Sequence, residues 1–214
     1  MPFGFFDKSG KQARPVGKSH GSINTVANAR TMEFLASTDA RTIAEIGVDQ
    51  GVTAEAILVW LGGRGTVHLF DFEDCLDKVT QRLRTHQLTN FVAHGNSRRT
   101  LDSYNWSLMR MLQQNPAPLF DYVYLDGAHT WAIDALAFFL IDQLLKPGGY
   151  IDFDDYHWTI EQSPTVNPRV CPRMREIYTE EQMQAQQVAL IVDLLVRRPG
   201  RYEEVVPRKI FRKP

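Results

Sequence analysis

The residues of this sequence whose types could do chemistry are three aspartates and a histidine: Asp126, His129 just after it, and the adjacent pair Asp154 and Asp155. Each acidic position closes an apolar run, FDYVYL before Asp126 and YIDF before the pair. Carboxylates gathered in one place repel one another and raise one another's pKa unless a cation lies among them. An all-oxygen donor set suits a hard ion such as Mg²⁺ better than zinc, which prefers Cys and His. Such an ion binds a hydroxyl directly, fixes it and lowers its pKa, so that an alcohol or phenol becomes a nucleophile. His129 falls where a helix is expected to begin. There the positive end of the dipole disfavours imidazolium and leaves a neutral ring able to accept a proton. The competing reading makes His129 a helix cap or a substrate contact that does not titrate.

These side chains need elements to bring them together. Residues 120–158 read as an apolar strand ending on Asp126, a crossover helix, a Pro-Gly-Gly turn and a second apolar strand ending on Asp154 and Asp155. The crossover is long enough to join parallel neighbours, and right-handed connection puts both strand ends at one sheet edge, where open α/β sheets bind ligands. In the crossover helix Ile133, Leu136, Ala137, Leu140, Ile141 and Leu144 form the expected core stripe, with Phe138 and Phe139 adding to it.

Upstream, residues 23–36 read as a helix and 42–46 as a short strand that stops in GVDQG. Ala54, Ile57, Leu58 and Leu61 then recur at helical spacing. TVHLF is a second strand halting at Asp71. A helix follows from Glu73 with Leu76, Val79 and Leu83 on one face, then a brief strand over 91–93 ended by HGNS, and a helix over 100–114 closed by Pro116 and Pro118. Downstream, 159–173 has no period, 174–197 contains a helix with Ala185, Val188, Ala189, Val192 and Val196 inward, and YEEVVP with KIFRK suggests a hairpin. The alternation predicts an α/β fold: a Rossmann-like seven-stranded, mostly parallel sheet with helices on both faces and a C-terminal antiparallel hairpin. Residues 1–40, with Phe3, Phe5 and Phe6, are expected as an arm and helix, and 41–214 as the catalytic domain.

Glu45-Ile46-Gly47-Val48-Asp49-Gln50-Gly51 stands between strand and helix, where glycines permit close backbone approach and a helix N-terminus offers free N–H groups. About twenty residues on, Asp71 ends the second strand, a position from which a carboxylate can accept both hydroxyls of a ribose. Together they suggest an adenosine-bearing cofactor. The dehydrogenase G-x-G-x-x-G is not met, because its second and third positions hold Asp49 and Val52, and no G-K-[ST] follows to make a phosphate loop.

With E-x-G-x-x-x-G and an acidic second-strand end, the chain from about Ile43 onward resembles the class I S-adenosylmethionine-dependent methyltransferases. DGAH at 126–129, LLKPGGYI at 144–151 and the Asp154-Asp155 pair are similar to the divalent-metal-dependent small-molecule O-methyltransferases, such as the macrocin-type sugar enzymes and, more distantly, catechol O-methyltransferases. The resemblance implies Glu45, Gly47, Asp49 and Gly51 around the methionine end of S-adenosylmethionine, Asp71 on the ribose, Asn96 and Ser97 beside the adenine, and Asp126 bordering the cofactor. It also implies Mg²⁺ on Asp126, Asp154 and Asp155. Catechol-type enzymes place a lysine shortly after the first metal aspartate. Here His129-Thr130-Trp131 stands there and the next lysine is Lys146, so His129 becomes the candidate base beside Asp126.

The remaining features bound the function. Twenty-four basic against 25 acidic residues leave a net charge of −1, which gives no sign of a nucleic-acid partner. Cys75 and Cys171 are too few for a disulfide framework, and no stretch is apolar enough for a membrane span or signal core, so a cytoplasmic protein is expected. His157 is a substrate contact or a surface histidine; Trp131 and Trp158 wall the acceptor pocket or simply pack. The basic residues from Arg197 to Lys213 are expected to be a solvated hairpin protecting a sheet edge, with a role toward an anionic substrate as the competing reading, and Arg98 and Arg99 to face water or, for one of them, to approach the acceptor. The acceptor is expected to be a small molecule bearing a hydroxyl, in a pocket built from the arm, residues 159–174 and, in a homo-oligomer, a neighbouring subunit. Rival readings are a metal-independent methyltransferase, a noncatalytic adenosyl-binding protein, and a hydroxylase or lyase on the same fold.

Overall fold

A computed structural model describes residues 26–115 and 117–214. The N-terminal arm and residues 23–25 of the first expected helix lie outside that range, as does Pro116. The helix begins later than expected, as α1 (Ala29–Leu35), because the Asn28 side chain caps it by accepting from the Thr31 N–H.

Five parallel strands follow, β1 (Thr42–Ile46), β2 (Thr66–Phe72), β3 (Phe91–Asn96), β4 (Phe120–Leu125) and β5 (Leu145–Phe153), with α2 (Val52–Leu61), α3 (Glu73–Thr85), α4 (Tyr104–Gln114) and α5 (Trp131–Leu144) between them. The antiparallel hairpin β6 (Glu203–Val206) and β7 (Ile210–Arg212) completes a seven-stranded sheet in the order β3-β2-β1-β4-β5-β7-β6. This is the Rossmann-like architecture that the alternation predicts.

Strand residues alternate between two cores. Ala44, Ile46, Phe70, Val123 and Leu125 face α4 and α5, whereas Ile43, Leu69, Tyr122 and Tyr124 face α1, α2 and α3. Phe138 on α5 is fully buried, which contributes about 1.5–3 kcal/mol for a side chain of this kind. Strand order reverses direction between β1 and β4, so the loops after them part and leave a crevice at the carboxyl edge.

Several boundaries differ from expectation. β3 runs on through His94-Gly95-Asn96, because Phe70, Asp71 and Phe72 pair with those residues and extend the ladder. Pro147-Gly148-Gly149 lies within β5 as an irregularity: the register against β4 shifts there, and Gly148 takes φ +77°. Leu136 and Phe139 are 51% and 47% exposed, so the stripe of α5 that packs inward is Ala135, Ala137, Phe138, Ile141 and Leu144. Residues 174–197, expected to contain a helix, hold several short ones: α6 (Met174–Ile177), α7 (Glu180–Gln184), α8 (Gln187–Ile191) and a π-helical turn (Val192–Arg197). A capping box between Thr179 and Gln182 starts the second of them. Among the described residues no helix is long and apolar enough to cross a membrane.

Candidate active site

At the crevice the ends of β1 and β4 meet in direct backbone contact. Asp126 N–H donates to the Ile46 carbonyl at 2.9 Å, and a Cβ on Gly47, whose φ is +88°, would lie 1.8 Å from the Asp126 carbonyl oxygen. Only glycine fits there. Gly51 also has a positive φ of +70°, just before α2, while Asp49, at φ +44°, is exposed.

Two buried acids stand beneath this loop. Asp71, at 3% exposure, accepts from the Val48 and Asp49 N–H groups, each at 2.8 Å, and from Phe72 N–H at 2.6 Å. Its carboxylate therefore braces the glycine loop. Burial raises its pKa despite those three donors. Glu45, at 2% exposure, has an Oε2 without a hydrogen-bond partner among the described residues. Burial, and then the charges of Asp126 and Asp71, push its pKa well above the usual carboxylate range.

Gly47, Asp71, Phe72, Asn96, Tyr104 and Ala128 line a pocket beside this loop. Asn96 is 6% exposed at the end of β3. Ser97 spends its N–H and hydroxyl on Asp102 Oδ2, at 2.7 and 2.6 Å. Arg98 pairs with Asp74 at 2.9 Å and covers the Phe72 ring.

On the β4 side, His129 occupies the left-handed region at φ +58°, two residues before α5 rather than within it. Asp134 on the first turn of α5 makes that turn possible. It is 2% exposed and accepts from His129 N–H at 2.7 Å, from Ala128 N–H at 3.3 Å and from the Tyr104 hydroxyl. His129 Nε2 then lies 3.0 Å from Asp126 Oδ1 and 3.8 Å from Asp155 Oδ2. The carboxylates around the ring oppose the helix-dipole effect expected from the sequence. Burial alone would lower the His129 pKa, but the hydrogen bond and charge of Asp126 outweigh it and raise the value. The carboxylate contact replaces the helix-dipole effect as the controlling influence.

One ligand atom each from Asp126, His129 and Asp155 lies within 4.8 Å of the others. Asp154, expected beside Asp155, turns elsewhere. Its Oδ1 accepts from Asn28 Nδ2 at 3.0 Å and lies 3.4 Å from Lys209 Nζ, and its Oδ2 accepts from the Tyr124 hydroxyl at 2.9 Å. Tyr124 also reaches Asp126 Oδ2 at 3.4 Å and so links the two strand ends. Asp155 has a positive φ of +55°, which carries its side chain away from Asp154 and toward His129.

Lys209 corrects the reading of the basic tail as wholly solvated. It is 4% exposed and pairs with the fully buried Asp152 at 2.9 Å as well as with Asp154. Arg208 beside it lines a cleft with Arg30, His157 and Trp158. The Trp158 ring lies 5.2 Å from that of His129, whereas Trp131 is 41% exposed on α5. His157 contacts Gln186 at 3.2 Å. Asp134, Lys209, Tyr124 and Asn28 are the site residues that sequence reasoning missed. An acid in the first turn of an otherwise apolar helix was the legible signal for Asp134.

A family profile described as a methyltransferase domain matches residues 44–156. Among solved structures, a protein described as an O-methyltransferase from Klebsiella pneumoniae is 17% identical with a TM-score of 0.58, over 88% of this chain and 75% of that one. One described as a caffeoyl-CoA O-methyltransferase from Staphylococcus aureus is 14% identical with a TM-score of 0.56, over 88% and 85%. The S-adenosylhomocysteine-bound Podospora anserina methyltransferase PaMTH1 is 14% identical with a TM-score of 0.54, over 86% and 75%. At these identities the likeness is one of fold. No curated protein matches the chain.

Proposed function

The chain belongs to the methyltransferase-domain family, and from that premise we propose that this S-adenosylmethionine-dependent enzyme methylates a hydroxyl of a small molecule with Mg²⁺ assistance. The observation that carries the reading is the convergence of Asp126, His129 and Asp155 directly beside the glycine loop, through the contact of Gly47 with Asp126.

The cofactor would supply an electrophilic methyl group on a sulfonium. Gly47, Asp49 and Gly51 shape the loop that receives it, and the unpartnered Oε2 of buried Glu45 suits an ammonium donor such as the methionine end carries. Asp71 holds the loop and borders the ribose, Asn96 and Ser97 border the adenine, and Asp126 separates cofactor from acceptor. A hard divalent cation, which when bound would acidify the acceptor hydroxyl, would be held by Asp126 and Asp155, with Asp154 joining them on release from Asn28 and Lys209. Asp126 fixes the His129 ring through Nε2, leaving Nδ1 as the nitrogen for the acceptor proton.

The test is transfer of a labelled methyl group to mixed polyols and phenolics, with EDTA and then with Mg²⁺ restored. Label in a hydroxyl only when Mg²⁺ is present supports the reading; transfer indifferent to EDTA leaves the metal-independent methyltransferase. That second reading draws on the His129–Asp126 hydrogen bond, which pairs a base with a carboxylate without any ion.

A further inference from the structure

We infer that the cleft beside the acidic cluster is an oxyanion subsite, so that the acceptor carries a carboxylate or phosphate as well as its hydroxyl. This rests on the methyl-transfer reading for what the anion is attached to. The cleft, of about 510 Å³, is lined by Arg30, Arg208 and Lys209 together with Asp154, Asp155, His157 and Trp158 among others. That volume is of the size of small-molecule sites.

The charges in it are unequally committed. Lys209 is held by Asp152 and Asp154, and Asp154 further accepts from Asn28 and Tyr124. Asp155 faces His129 and the catalytic cluster. The two arginines have no such partner: among the described residues no carboxylate lies within ion-pair distance of either guanidinium. Glu204 feels the Arg208 charge, yet it accepts that residue's backbone N–H and is gripped by Arg197. The Arg208 guanidinium instead lies over the Tyr156 ring at 5.9 Å and 3.5 Å from His157 Nε2.

The local backbone holds it there at a cost. Arg208 takes φ +60° in the turn between β6 and β7, a conformation that costs an L-residue about 1–2 kcal/mol and glycine almost nothing. Arg30 lines the same cleft from α1, which Asn28 and Thr31 anchor to Asp154 and Asp152. Two forked, always-charged donors lining one cleft that Tyr156 and Trp158 also line are suited to a planar or tetrahedral oxyanion.

The test is calorimetric binding of 3,4-dihydroxybenzoate and of its uncharged counterpart 3,4-dihydroxybenzyl alcohol to the full chain, with and without S-adenosylhomocysteine. The anion should bind about tenfold more tightly or better, as a charge-assisted contact predicts. Arg30→Gln with Arg208→Gln should bring the two ligands to parity, while Arg208→Lys retains the preference and unchanged melting temperatures show that the variants fold. Competition by benzoate or by inorganic phosphate separates a carboxylate from a phosphate source. Equal binding of the two compounds, binding of neither, or a preference that survives in the double variant would overturn the subsite. Failure of S-adenosylhomocysteine to bind would instead sink the methyltransferase reading, and the comparison made without it would still judge the subsite.

Discussion

The buried Asp134 carboxylate accepts the backbone N–H of His129 at 2.7 Å, and through that bond a residue on α5 fixes a histidine outside it. Asp134 also holds Ala128 N–H and the Tyr104 hydroxyl, so it orders the loop between the first acid and the helix. Asp134→Ala leaves the His129 N–H and the Tyr104 hydroxyl unmatched, while Ala128 N–H keeps its 3.0 Å bond to the Tyr104 oxygen, and should cost about 2–6 kcal/mol at 1–3 kcal/mol for each group, less whatever water recovers. Asp134→Asn should fold yet lower kcat by about tenfold or more, as misplacement of a proton-transfer group does. Denaturant unfolding and steady-state kinetics check the two, and an Asn variant with full kcat would reduce Asp134 to a structural acid.

Gly47→Ala tests the join between cofactor loop and catalytic loop. The new Cβ would sit 1.8 Å from the Asp126 carbonyl oxygen at a φ of +88°, so either β1 or β4 must shift. The expected result is a loss of about 3 kcal/mol or more in stability together with weakened S-adenosylhomocysteine binding. A chemical melt and a calorimetric titration measure both. Wild-type affinity in this variant would show that the contact does not shape the cofactor site.

The order of elements, the parallel sheet and the hairpin were legible because apolar runs of strand length alternate with helical stripes from Thr42 onward. Asp126 and Gly47 were legible too, since a polar residue that ends an apolar strand has few other reasons to be there. The direction in which an acid points was not. Asp154 and Asp155 are sequence neighbours of one type, and only the positive φ of Asp155 and the tertiary contacts of Asn28, Tyr124 and Lys209 send them apart. Lys209 reads as one more charge in a basic tail, because its burial depends on pairing across the sheet with Asp152, far away in the chain. Boundaries slipped where partner strands decide them, as at β3, or where a cap interrupts a periodic run, as at Thr179.

That buried pair gives a stability prediction. Lys209→Met removes the cation between Asp152 and Asp154 and strands a fully buried acid, whose pKa burial already raises despite Lys209. Breaking a buried pair from one side costs about 3–5 kcal/mol. Adding Asp152→Asn should recover part of the loss, because a neutral amide no longer needs the cation. A double-mutant cycle by urea unfolding measures the coupling, and additive effects would mean that the two do not interact.

His68 and His94 supply the acid limb of stability. Their rings stack at 5.2 Å with Nδ1 and Nε2 3.0 Å apart, and burial lowers both pKa values from 6.5 to about 4, with the charge of His68 adding to the effect on His94. The folded values are depressed, so the contribution is complete above pH 6.5. It is lost as pH falls toward 4, while the unfolded chain takes up protons that the folded pair refuses. Replacing both by Phe should reduce the proton uptake on unfolding near pH 5 by about two. Stability measured at closely spaced pH values gives that slope directly, and an unaltered slope would rule the pair out as its source.

Asp154→Ala separates metal chemistry from cofactor binding. The acid ends β5 and touches Asn28, Tyr124 and Lys209, none of which lines the pocket beside the glycine loop. Glu45, Asp71 and Asn96, in contrast, lie on β1, β2 and β3. Loss of Asp154 should therefore abolish Mg²⁺-dependent turnover and leave S-adenosylhomocysteine affinity within about threefold, a difference below 1 kcal/mol. Glu45→Gln should do the opposite in part, lowering cofactor affinity by about tenfold through a weakened charge-assisted contact. Calorimetry with the cofactor product, alongside methyl transfer at saturating Mg²⁺, measures both variants. If Asp154→Ala cost as much in cofactor affinity as in turnover, the acid would belong to one shared site and the division between β1–β3 and β4–β5 would be wrong.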